Sequence, residues 1–128
     1  MEKTITVSEF VEKYEATTEK MKPVLLKEIK SEKYIGYMEK CLQMDRIIQS
    51  TNYNKDKDFH INSPMKYVLF TISMIEMYTN LKINEDDIIN EFDKLNRAGL
   101  IDAIIYPTNG SEEVIPVKEI EECGELLT

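Results

Sequence analysis

The stretch Ser63–Asn80, SPMKYVLFTISMIEMYTN, decides the fold. Serine is a favoured helix cap and proline suits the first helical position, so Ser63-Pro64 predicts a helix start. Tyr67, Val68, Leu69, Phe70, Ile72, Met74, Ile75, Met77 and Tyr78 then cover nearly the whole circumference, and only Lys66 and Glu76 carry charge. A helix that is apolar all round has to be enclosed by others. The expectation is an all-α fold, an irregular bundle of about five to seven helices around a buried central helix at about 64–80. The 128 residues fit one domain, 1–128, able to bury a real core.

The segments on either side supply the covering helices. Thr6-Val-Ser-Glu9 matches a capping box, and Phe10, Tyr14, Thr17 and Met21 follow at helical spacing. Pro23 interrupts and suits the first turn of a second helix, Val24 to about Lys30, with Leu25, Leu26 and Ile29 on one side. Tyr34 to Tyr37 fits either an extended piece or a helix start. Tyr37, Cys41, Met44 and Ile48 predict a helix over about 37–50, and the polar run at about 51–62 predicts a loop. Beyond the central stretch, Asn84 predicts a helix cap, Ile88, Phe92 and Leu95 the stripe, and Gly99 a left-handed stop followed by a short helix from Leu100 to Ile105. Pro107 to Gly110 predicts a turn, and Ser111 to Ile115 fits helix or strand. Val117 to Leu127 has helical spacing weakened by Gly124, which leaves a mobile C-terminal tail as an open alternative.

Charge and cysteine usage bound the setting. Net charge is −8 and unevenly placed: residues 1–66 hold 12 basic and 11 acidic side chains, residues 67–128 hold 4 and 13. Such a surface repels nucleic acid and anionic membranes and favours basic partners or plain solubility. No apolar run approaches the ~20 residues of a membrane span. The start, MEKTITVSEF, lacks a secretory pattern. Cys41 and Cys123 are too few for a disulfide framework or a zinc site, and read as two buried or half-buried thiols in a reducing cytoplasm.

Asn54–His60, NKDKDFH, is the one stretch with the look of a metal loop. A calcium loop needs glycine at position six and glutamate at position twelve. Counting from Asn54 gives Phe59 and Met65, and from Asp56 gives Ile61 and Tyr67, so both registers fail. His60 is the only histidine, which excludes a multi-imidazole site and leaves no nucleophile–base–orienter set. The paired acids Glu112-Glu113 and Glu121-Glu122 read as solvated faces. A basic cluster, Lys20, Lys22, Lys27, Lys30 and Lys33, is interspersed with Glu19, Glu28 and Glu32, which argues against nucleic-acid binding. No catalytic, cofactor or metal residue is expected.

Protein docking is the remaining class. Met packs adaptably and Tyr joins apolar area to a hydroxyl, so Tyr34, Tyr37, Met38, Tyr53 and Phe59 are one candidate surface. The acids Glu85, Asp86, Asp87 and Glu91 are a second, suited to a basic partner. The chain also carries Glu-Phe-x-x-Lys-Tyr at 9–14, Lys-Tyr-Ile-x-Tyr-x-x-Lys at 33–40 followed by Ile47-Ile48, Tyr-Thr-Asn-Leu at 78–81, and Asp-x-Leu-x-x-x-Gly-Leu-Ile at 93–101. In these marks, over roughly residues 5 to 120, it resembles small proteins of tailed phages and prophages of low-GC Gram-positive bacteria. The resemblance implies a phage setting and no catalytic residues. The expected function is a non-enzymatic virion component or assembly factor that binds other phage structural proteins or itself, in the host bacterial cytoplasm and in the virion. The alternative is an acidic soluble inhibitor that occupies the nucleic-acid-binding surface of a basic host or defence protein. Neither reading invokes a cofactor, a membrane or direct contact with nucleic acid.

Overall fold

Thr6 begins the first helix as its capping box requires. The Glu9 backbone N–H donates to the Thr6 hydroxyl (3.2 Å), and the Thr6 N–H donates to the Glu9 carboxylate (3.1 Å). In the computed structural model, which describes residues 4–31, 33–52, 63–106 and 113–127, this residue also closes strand β1, Ile5–Thr6. Helix α1 follows over Val7–Ala16 and buries Val7, Phe10 and Tyr14. Pro23 sits in the first turn of α2, Lys22–Ile29, whose Leu25, Leu26 and Ile29 turn inward. Residues 33–36 are not helical. Buried Ile35 anchors them, and α3 starts at Tyr37 and runs to Asn52.

Helix α4, Ser63–Tyr78, is the central element. Thr71, Ile72, Met74, Ile75, Met77 and Tyr78 are buried, as an all-round apolar helix demands. Its first half is less enclosed: Val68, Leu69 and Phe70 are half-buried and Tyr67 is 40% exposed. Tyr67 packs edge-on against Phe92, and its hydroxyl lies 3.2 Å from that of Tyr106. An open apolar pocket bordered by Tyr67, Phe70, Gly124 and Leu127 lies on the same half.

After α4 the chain becomes a strap that the helical reading did not anticipate. Strand β2, Leu81–Lys82, pairs in parallel with β1, Ile5 opposite Leu81 and Thr6 opposite Lys82. On its other side the strap meets the end of α2, where the Asn80 N–H donates to the Ile29 carbonyl (2.8 Å) and the Ser31 N–H to the Tyr78 carbonyl (3.1 Å). Leu81 and Ile83 point into the core and Lys82 outward, the alternation of a half-buried strand. Asn84 caps a single 3₁₀ turn, Glu85–Asp87, rather than an α-helix directly, and α5 runs over Ile88–Arg97. Gly99 adopts φ 77°, the left-handed stop expected of it, before α6, Leu100–Ile105.

The final helix, α7, Val117–Leu127, spans the residues whose spacing is helical and packs against α3 with Cys123 fully buried. Val114 and Ile115 are buried in non-helical chain just before it. The seven α-helices of the described residues therefore form one bundle around α4, with Phe10, Met74, Ile75, Leu95, Leu100, Ile104 and Ile115 at its centre. The turn expected at 107–110 lies outside the described residues, as does the loop expected at about 51–62 except for Thr51 and Asn52, which instead end α3.

Candidate docking face on the third helix

Helix α3 is rotated relative to the stripe read from its sequence. The side chains it buries are Lys40, Met44 and Ile47, whereas Cys41 and Ile48 are half-buried and Tyr37 is exposed. Of the expected stripe Tyr37, Cys41, Met44 and Ile48, only Met44 is in the core. The cause is Lys40, whose side chain is 8% exposed and whose Nζ lies 2.5 Å from both Glu119 and Glu122 of α7. Their carboxylates pull a lysine into a position that apolar periodicity gives to its neighbours.

Burial alone would lower the Lys40 pKa. Its hydrogen bonds to Glu119 and Glu122 outweigh that and hold it above the ordinary lysine value. Glu119 is held below the ordinary carboxylate value by Lys40 and by the Tyr78 hydroxyl, which donates to it. Burial, then that same bond, pushes the Tyr78 phenol up. Burial also pushes the Cys123 thiol up to about 11, so it is neither a thiolate nor accessible. This cluster joins α3, α4 and α7.

The rotation leaves an apolar edge outside. Met38 is 67% exposed, Leu42 57% and Tyr37 55%; Tyr34, just before the helix, is 85% exposed. Met38 and Leu42 are four residues apart and share one face. Beside them, Cys41, Leu42, Asp45, Ile48 and Leu126 of α7 line an open groove of about 370 Å³. The Tyr37 phenol hydrogen-bonds the Cys41 thiol, which pushes its pKa up. Of the candidate docking residues, Tyr34, Tyr37 and Met38 are all exposed. The structure adds Leu42, Ile48 and Leu126, which the sequence reading missed although Met38 and Leu42 already stood at helical spacing. Tyr53 and Phe59 lie outside the described residues, as does His60.

The acidic candidates divide. Glu85, Asp86 and Asp87 are exposed on the 3₁₀ turn. Glu91 is not part of that surface: its side chain is 7% exposed, accepts the Asn84 N–H at 2.9 Å and lies 3.5 Å from Lys94 Nζ. A carboxylate that satisfies a backbone N–H at a loop-to-helix junction is structural. Lys94 also donates to Ser8 on α1 (2.8 Å). These groups, with Thr6, Lys82 and Glu85, line a cleft of about 460 Å³ of mixed charge.

In the basic cluster, Lys22 pairs with Glu19 at 2.9 Å and lies over the Tyr14 ring. Among the described residues no group of three or more His, Cys, Asp or Glu side chains is placed to hold a metal, and no helix is long and apolar enough to cross a membrane. Comparison with protein-family models, curated proteins and solved structures gives no match.

Proposed function

We propose that the protein is a non-enzymatic protein-binding module encoded by a tailed phage or prophage, working as a virion structural or assembly component at the head–tail junction or on the tail. The observation that supports docking is the apolar edge Tyr34, Tyr37, Met38 and Leu42, left in water beside the α3–α7 groove while Met44 and Ile47 of the same helix are buried. Exposed apolar side chains clustered in this way mark a contact surface more than scattered ones do. The non-enzymatic reading draws support from buried Lys40 and Glu91 and half-buried Glu119, each engaged in pairs that tie the fold together. The phage setting rests on the four resembling segments alone.

Quantitative mass spectrometry of purified particles, paired with Leu42→Glu, tests this reading. The expected result is stoichiometric incorporation of the parent and loss of the variant, with unchanged thermal unfolding. Particles that lack the parent chain would remove the virion role.

The exposed acids Glu85, Asp86 and Asp87 favour a second reading, an inhibitor that covers a basic nucleic-acid-binding surface. Lys82 and Lys94 border the same cleft and dilute that field. Charge reversal at Asp86 and Asp87 should abolish such inhibition, and affinity should fall steeply with salt. A double-reversed protein that blocks its target as well as the parent would end this reading.

A further inference from the structure

The groove between α3 and α7 has apolar walls and an acidic border. Cys41, Leu42, Ile48 and Leu126 supply the walls, and Asp45 stands among them. From Tyr37 to Ile48 the edge runs roughly 16 Å along α3, about three helical turns. Glu122, one helical turn before the groove residue Leu126 on α7, shares with Glu119 the single ammonium of Lys40, which leaves one carboxylate charge unbalanced. The α7 bank as a whole carries Glu119, Glu121, Glu122 and Glu125 against Lys118.

We propose that this groove takes an amphipathic helix of a partner protein whose polar face is basic. The inference rests on the docking function above and names the chemistry of its partner. An amphipathic helix would present apolar residues every three to four positions, the spacing of Met38 and Leu42 on α3. Lysines or arginines along its flank would meet Asp45 and the Glu119–Glu122 pair. A second copy of this chain is the poorer occupant: it would set the acidic α7 bank against its own likeness, on a chain of net charge −8.

The test uses the full chain and two probes of equal length, a leucine/lysine amphipathic helical peptide and its leucine/glutamate counterpart. The expected result is at least about tenfold tighter binding of the lysine peptide, with NMR methyl shifts at Leu42, Ile48 and Leu126. Leu42→Glu should weaken that binding at least about tenfold. Asp45→Lys should weaken it about threefold without lowering thermal stability. Equal affinity for the two peptides overturns the inference, as does binding that survives Leu42→Glu. A dimer of the parent chain that Leu42→Glu makes monomeric would give the groove to a second copy instead. The two readings fail separately: loss of Leu42→Glu from particles with equal peptide affinities removes the basic helix and leaves docking intact.

Discussion

Lys40→Met removes the ammonium that joins α3 to α7 and keeps most of the apolar stem. Removing one partner of a fully buried ion pair costs about 3–5 kcal/mol. The two carboxylates left behind are not fully buried: Glu119 is 29% exposed and Glu122 44%, so water solvates part of their charge. Tyr78 continues to donate to Glu119. The expected cost is therefore below that range, about 2 kcal/mol at neutral pH. Urea unfolding of parent and variant followed by circular dichroism measures it. The pH dependence fixes the cause. Glu119 titrates below its ordinary value of 4.5 in the folded chain, so its contribution is present above 4.5 and is lost as pH falls through the lower folded value. Lys40 titrates above its ordinary 10.5, so its contribution is complete below 10.5 and is lost only as pH rises past the folded value. The difference between parent and variant should hold from pH 6 to 9 and shrink on acidification below about 4. A cost under about 0.5 kcal/mol at pH 7, or one unchanged by acid, would refute the claim that this cluster docks α7.

Three further outcomes follow from other sites. Thr71 is 1% exposed and its hydroxyl finds no partner among the described residues, so Thr71→Val, which keeps the shape, should stabilise by about 1 kcal/mol in chemical denaturation. Glu91→Ala leaves the Asn84 N–H without its acceptor and should destabilise by about 1–3 kcal/mol in the same assay. Millimolar calcium should leave the melting temperature unchanged, because neither register of Asn54–His60 supplies the glycine and glutamate of a calcium loop; a clear rise would contradict that reading.

The sequence made legible what local chemistry controls. Thr6 and Glu9 cap α1, Pro64 lies in the first turn of α4, Gly99 stops α5, and each acts within a few residues of itself. The strap was not legible because two-residue pairings of Ile5 with Leu81 and Thr6 with Lys82 join positions far apart and leave no periodic trace. The rotation of α3 was hidden for a related reason. Lysine counts as solvent-facing in any hydrophobic pattern, and only the later placement of Glu119 and Glu122 makes Lys40 a core residue. Glu91 was misread in the opposite direction: in sequence it extends the acidic run from Glu85, in space it turns inward to the Asn84 backbone. The apolar edge proposed for docking was half legible. Tyr34, Tyr37 and Met38 stood out by composition, while Leu42, Ile48 and Leu126 join them only once α7 lies along α3.

Site-specific photo-crosslinking on α3 during particle production tests the docking claim most directly. A benzophenone side chain at position 38 or 42 should form a discrete adduct with a structural protein of the particle, and the same group at exposed Glu12 on α1 should form none. Adducts of equal yield at all three positions, or none at 38 and 42 in particles that contain the protein, would contradict it.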